Sequence, residues 1–243
     1  MASCPASQSP TAQDGRTVSE ATGRRDGAPV VTEPFTEWVL SGECAAGRPR
    51  WQDAGATFAP DVAPFEERKL WLLNGGHPLL AYAGSIRGHA TVAEAVHDEV
   101  CRRWLEQWWD EACAHLTLPA DHLAGYRAAL LERFANPRMR HLLAQIASDG
   151  SQKLPVRILP VLRRERAAGR IPTGATRALA GWICHLRGLS APLTDARADE
   201  VAPAASAPLS VAVRQVLAAL DPAVAADDEL VTTILAQAQE LSA

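Results

Sequence analysis

Apolar residues recur at a spacing of four through the middle of the chain: Val92, Val96, Val100, Trp104, Trp108 and Ala112 share one register between Thr91 and Leu116. Side chains four apart lie along one side of an α-helix, so the stretch predicts a helix whose tryptophan stripe packs into a core or against another domain. Glu106, Asp110 and Glu111 stand between the rings and argue against a nucleic-acid stacking platform. Asp121 to Phe134 predicts a second amphipathic helix, ended by Asn136-Pro137, because the residue before proline is pushed out of the helical region. Met139 to Ala147, Val156 to Ala168, Gly174 to Leu186, Val211 to Leu220 and Asp228 to Leu241 predict further helices, with a kink or break at Pro160.

Only Pro29 to Leu40, β-branched and aromatic between prolines, predicts an extended segment or edge strand. No G-x-G-x-x-G follows a strand, and no alternating β-α-β pattern occurs. The expected fold class is therefore mainly α, with a small extended element near the N-terminus and no Rossmann domain. Residues 1–28 hold almost no large apolar side chain and predict a loose leader. The main domain is expected over 29–189, a linker rich in Ala, Pro, Asp and Ser over 190–209, and a helical tail over 210–243.

Composition narrows the function classes. A chain of 243 residues, 47% hydrophobic, supports one well-packed core. A net charge of -4 argues against a general nucleic-acid or acidic-membrane binder, which needs a basic face. The basic run Arg163-Arg164-Glu165-Arg166 is interrupted by an acid and is expected to be a solvated helix face. Five cysteines, odd in number and without C-x-x-C spacing, indicate neither a disulfide framework nor a zinc knuckle, and fit a reducing cytoplasm. No apolar run approaches the roughly twenty residues that span a bilayer, and no secretory signal is visible, so the expectation is a soluble, cytoplasmic protein.

The chemistry concentrates around a rare residue type. Only two lysines, Lys69 and Lys153, stand against twenty-two arginines. A lysine that survives such a bias is a candidate for work needing an amine that can lose its proton, which arginine cannot do. Lys69 opens Lys69-Leu70-Trp71-Leu72-Leu73-Asn74-Gly75-Gly76-His77. At about 100° per residue, His77 falls about 80° and Asn74 about 140° from Lys69, so amine, amide and imidazole project from one side. The paired glycines cost helix stability and let a ligand or another backbone come close. Each residue also has an ordinary reading: a hydrogen-bonded core histidine, an asparagine helix cap, a surface lysine.

Several stretches together resemble the mannitol dehydrogenase family, the long-chain polyol dehydrogenases that include fructuronate and tagaturonate reductases. They are Val31-Thr32-Glu33-Pro34-Phe35-Thr36-Glu37-Trp38-Val39, Gly47-Arg48-Pro49-Arg50-Trp51, Lys69-x-x-x-x-Asn74-Gly75-x-His77, Arg133-Phe134-x-Asn136-Pro137 and Asp149-Gly150-Ser151-x-Lys153-x-Pro155. The likeness runs from about Pro29 to Gly188 and is to the family's C-terminal, mainly helical substrate domain. It implies that Lys69 is the general acid/base, that Asn74 and His77 position the substrate and polarise its reacting oxygen, and that Lys153 binds substrate. An amine works as a base near neutrality only where burial lowers its pKa from about 10.4, and Leu70, Leu73 and Leu80 are the apolar neighbours on hand.

The reaction implied interconverts a small polyol and a 2-keto sugar with NAD or NADP in the complete enzyme. The cofactor half is absent from these residues, so a truncated or split product working with a separately encoded Rossmann domain is expected. An asparagine found in the family upstream of Pro29 has no counterpart in Cys4 to Pro10, Ser41-Gly42 stands where many relatives have acids, and Gln145 stands where they have arginine. Two other readings follow: a non-catalytic helical remnant or sugar-binding module, and a chain whose reading frame extends upstream.

Overall fold

The computed structural model describes all residues except 1, 4–6, 9–10, 33–34 and 46. It divides into two units, Met1–Glu66 with Arg138–Arg140, and Glu67–Pro137 with His141–Ala243. The first boundary falls inside a helix, and differs from the limits expected from composition. Among the described residues no helix is long and apolar enough to cross a membrane.

The first unit holds the extended elements: β1 (Ala2–Ser3), β2 (Ser7–Gln8), β3 (Val31–Thr32), β4 (Glu37–Leu40) and β5 (Ala56–Phe58). β4 pairs antiparallel with β1 and parallel with β5, in the register Trp38↔Ala56, while β2 pairs with β3. A 3-10 turn at Trp51–Ala54 sets an aromatic ladder, with Trp38 and Trp51 ring centroids 5.0 Å apart and Trp51 stacked on Phe58 at 6.5 Å. Arg48 lies 3.8 Å over the Phe58 ring. The stretch expected to be a loose leader carries α1 (Ala12–Thr22). Thr11 and Asp14 form a capping box that satisfies the first N–H groups, and this local chemistry outweighs the lack of buried apolar residues.

The second unit is helical. After α2 (Ala63–Arg68), in which the units divide, come α3 (Asn74–Ile86), α4 (Val92–His97), α5 (Glu99–Cys113), α6 (Ala120–Ala135) and α7 (Leu143–Ile146). They are followed by α8 (Gly150–Arg157), α9 (Leu159–Ala167), α10 (Thr173–Leu186), α11 (Ala198–Ala205), α12 (Leu209–Leu220), α13 (Pro222–Ala226) and α14 (Asp228–Ser242). α10 is the central helix: apart from Arg177, every residue from Gly174 to Leu186 is buried, and it packs on α14, α3 and α5.

Four expectations change. The helix expected over Thr91 to Leu116 is two, because Asp98 adopts extended backbone and its side chain accepts from Val100 N and Cys101 N, starting α5 afresh. The tryptophan register survives the break, since Val92, Val96, Trp104, Trp108 and Ala112 are all buried. The Pro160 break lies at Ile158, and Pro160 sits in the first turn of α9, where its missing N–H costs nothing. The arginine run is solvated only in part: Arg163 and Arg164 are exposed, but Glu165 is buried and accepts from Arg170 and His115, Arg163 pairs with Asp221, and Arg166 pairs with Asp227 and Glu229. The presumed linker holds α11, with Val201 and Ala205 buried.

Candidate active site

Pro78 explains much of the local geometry around the rare lysine. It has no N–H to offer the carbonyl of Asn74, four residues earlier, and its ring crowds that oxygen. Arg157 supplies the missing donor, with Nη1 3.2 Å from Asn74 O. One turn upstream the helix widens: Lys69–Leu73 is a π-helical turn, with Asn74 N–H donating to Lys69 O. Such turns are rare and recur at functional sites. The wider turn uses less rotation per residue and so narrows the angle of about 140° that uniform α geometry sets between Lys69 and Asn74.

The carbonyls of the widened turn are satisfied from α5. Trp108 Nε1 donates to Trp71 O and Trp109 Nε1 to Leu72 O, each at 2.9 Å. These contacts account for the paired glycines. A Cβ on Gly75 would sit 2.6 Å from Trp108 Cζ2, and one on Gly76 2.8 Å from Leu105 Cδ1. The space that the sequence assigned to a ligand or backbone is taken by α5 side chains. Nor does Asn74 cap a helix end, because α3 runs on through both glycines to Ile86.

Lys69 is half-buried at the first position of the π turn. Its predecessor Arg68 is fully buried, with its guanidinium 3.9 Å from the Tyr126 ring and Nη1 2.8 Å from His122 Nε2. That anchor fixes where the turn begins. Among the described residues, the Lys69 ammonium makes no hydrogen bond or ion pair.

His77 packs on Phe134, ring centroids 5.0 Å apart, and meets His141 edge-on at 6.2 Å. Its Nε2 is buried and has no hydrogen-bond partner. Burial pushes the imidazole down to about 3, helped by the positive charge of His141, Arg157, Arg133 and Lys153. The ring is therefore neutral at physiological pH, with one nitrogen able to donate and the other to accept.

Lys153 lies on α8, not in a loop, and Nζ donates to Ile146 O at 3.1 Å and Ser148 Oγ at 3.2 Å. It does not pair with Asp149. Burial lowers its pKa, as does Arg157, while Asp149 and Asp195 partly restore it. Of the four residues singled out by sequence, Asn74 meets Arg157 through its backbone carbonyl, His77 and Lys153 both feel the Arg157 charge, and Lys69 is tied to Asn74 by the π-turn backbone bond. Arg157, His141, Trp108 and Trp109 were missed as site components. The available signal for Arg157 was Pro78, whose position four residues after Asn74 calls for an outside donor.

Two other clusters of titratable groups lie in this unit. His89, Asp98 and Cys101 place their ligand-type atoms within 4.8 Å of one another. There Asp98 Oδ2 already accepts from Arg87 Nε at 2.6 Å and lies 2.9 Å from His89 Nε2, and burial pushes the Cys101 thiol up to about 12. Glu111 accepts from Gly174 N and Ala175 N at the start of α10, and burial raises its carboxyl to about 7 against those bonds. Both clusters are occupied by structural bonds.

Residues 61–242 match the family model described as mannitol dehydrogenase C-terminal domain. Among known proteins, D-mannonate oxidoreductase of Escherichia coli (strain K12) is 37% identical over 174 residues, covering 71% of this chain and 36% of that protein. Mannitol 2-dehydrogenase of Aspergillus terreus is 36% identical over 190 residues, covering 74% and 37%. A solved Pseudomonas fluorescens mannitol 2-dehydrogenase, in ternary complex with NAD and D-mannitol, superposes with TM-score 0.84 at 29% identity, covering 100% of this chain and 51% of that one. A substrate-free D-sorbitol dehydrogenase gives TM-score 0.87 at 25% identity with the same coverage. The chain thus spans roughly a third to a half of the length of these relatives.

Proposed function

This chain belongs to the mannitol dehydrogenase family, as its C-terminal domain, and from that premise we propose that it is the substrate and proton-transfer part of an NAD(P)-dependent oxidoreductase. The reaction interconverts a polyol and a 2-keto sugar, in the manner of a mannitol 2-dehydrogenase or fructuronate reductase. The described residues form no parallel β-α-β sheet and the sequence has no glycine-rich turn after a strand, so this reading assigns the dinucleotide to residues other than these. The nicotinamide and its hydride chemistry belong to a Rossmann domain supplied by other residues. This chain deals with the substrate hydroxyl and its proton.

In this reading Lys69 takes the proton of the reacting hydroxyl, and returns it in the reverse direction. Asn74 and His77 hold the reacting oxygen, with the neutral imidazole donating a hydrogen bond and carrying no charge of its own into the site. Polarisation by an uncharged, preorganised donor stabilises developing oxyanion charge. Lys153 binds hydroxyl or carboxylate oxygens further along the substrate. The observation that carries the reading is His77 Nε2, buried and unpartnered, with Arg133, Lys153 and Arg157 among the groups whose charge acts on its ring. A buried polar atom without a partner costs stability, and a substrate oxygen is a fitting partner.

The test combines the purified chain with a cofactor-binding partner and follows NADH or NADPH formation from D-mannitol, D-arabinitol and D-mannonate. Turnover that falls at least about a thousandfold in Lys69→Ala is the expected result for loss of the base together with its oriented contact. Undiminished turnover in that variant would overturn the assignment. Sugar binding by the chain with no turnover under any partner would instead establish a non-catalytic sugar-binding module.

A further inference from the structure

Helix α8 carries both Lys153 and Arg157, yet its start is held from far along the chain. Asp149, at the N-cap position, adopts left-handed backbone with φ 53° and makes no side-chain cap to its own helix. A non-glycine residue in that region is strained, and persists only where its surroundings hold it. The surroundings here are residues 194–197, from the stretch whose composition suggests a linker.

Asp149 N–H donates to Thr194 O at 2.9 Å, and Asp149 Oδ1 accepts from Ala196 N at 3.1 Å. In return Asp195 Oδ2 accepts the Ser151 N–H at 2.9 Å, and Asp195 Oδ1 accepts the Ser151 hydroxyl. Asp195 Oδ1 also accepts from Arg197 N at 2.9 Å, which locks the carboxylate's own orientation. Asp195 is thus a helix cap acting across 44 residues. Gly150, between the clamped residues, lies so close to Trp182 and Tyr82 that a Cβ would collide with Trp182 Nε1 and come within 2.5 Å of Tyr82 Oη. The α8 start is pressed against the core on one side and clamped on the other.

We propose that Asp195 is a positioning residue: by capping α8 through Ser151 it sets the helix start, and so the direction in which Lys153 and Arg157 face His77 and Asn74. The proposal rests on the substrate-site reading above. Asp195 touches no reacting atom; apart from the field by which it partly restores the Lys153 pKa, its effect passes through the backbone of Gly150 to Lys153.

Calorimetric titration of the full chain with D-mannitol and D-fructose tests it in four proteins: unaltered, Asp195→Ala, Ser151→Ala and Leu217→Ala. Loss of a helix cap predicts about tenfold weaker binding in Asp195→Ala. Ser151→Ala keeps every charge but removes the hydroxyl bond, and is expected to weaken binding in the same direction. Leu217→Ala, a core truncation on α12, lowers stability and is expected to leave affinity unchanged. Binding by Asp195→Ala equal to the unaltered chain overturns the proposal, and so does full affinity in Ser151→Ala, which would mean that the Asp195 charge acts directly. Should Asp195→Ala fail to fold, Ser151→Ala decides alone. If the unaltered chain binds no sugar, the substrate reading itself fails and the positioning role with it. Amide exchange at Ser151 to Lys153, faster in either variant, separates that case from one in which the clamp is absent.

Discussion

Replacing Gly75 by alanine pits two well-understood effects against each other. Inside a helix the change removes backbone freedom from the unfolded chain and stabilises by about 0.8–1 kcal/mol when space allows. Here the new Cβ lies 2.6 Å from Trp108 Cζ2, and that ring is fully buried. Forcing a methyl into a packed core costs about 1–3 kcal/mol. The ring cannot retreat without stretching the 2.9 Å bond from Trp108 Nε1 to Trp71 O, and an orphaned buried carbonyl costs about 1–3 kcal/mol more. The midpoints sum to a net loss of about 3 kcal/mol, measurable as a lower urea midpoint with unchanged slope. Gly125 on α6 is the control, because nothing lies within 4 Å of its Cβ position and Gly125→Ala is expected to stabilise by about 1 kcal/mol. If Gly75→Ala is as stable as the unaltered chain, the indole rings are not what the glycine accommodates, and the account of the π turn as clamped by α5 fails.

Two pH predictions follow from burial. His77 has its pKa lowered from 6.5 to about 3, so below pH 6.5 the unfolded chain takes up a proton that the folded ring refuses. Its contribution to stability is present above pH 6.5 and is lost as pH falls; His77→Gln should flatten that acid limb in chemical denaturation, and ring-proton NMR shifts that titrate near 6.5 would refute the buried neutral ring. Glu111 behaves in the opposite sense, raised from 4.5 to about 7 by burial, so its contribution is present below pH 4.5 and is lost as pH rises through 7. Stability measured from pH 4.5 to 8 should therefore decline less in Glu111→Gln than in the unaltered chain, and an identical slope in both would place the carboxylate in ionised form throughout.

What could be read from sequence follows from the distance over which each interaction acts. The four-residue register from Val92 to Ala112 is local, and it gave the buried face at Val92, Val96, Trp104, Trp108 and Ala112 across the Asp98 break, with Val100 half-buried. The capping box at Thr11 and Asp14 is equally local, and its Thr-x-x-Asp spacing stands in the sequence although the surrounding composition is that of a loose segment. The π turn was not legible as periodicity, because a single wide turn shifts the wheel without disturbing the apolar pattern on either side. Its consequence for Asn74 emerges only when Pro78 is considered as a missing donor. Asp195 was invisible for a different reason: a carboxylate that caps a helix 44 residues away looks, in sequence, like any acid in an Ala- and Pro-rich stretch.

The same distinction bears on the charge of the site. Lys69, Asn74 and His77 belong to one continuous segment, whereas the cations acting on His77 come from α6, α8 and the stretch before α7. Folding brings Arg133, His141, Lys153 and Arg157 about one neutral imidazole, and the carboxylates that temper them, Asp149 and Asp195, act through Lys153. A site built with surplus positive charge on one side favours an oxygen-rich ligand, and the more so one that brings a carboxylate. Under the proposed function D-mannonate is therefore expected to bind more tightly than D-mannitol in the binding assay, and equal affinities would refute a role for that surplus.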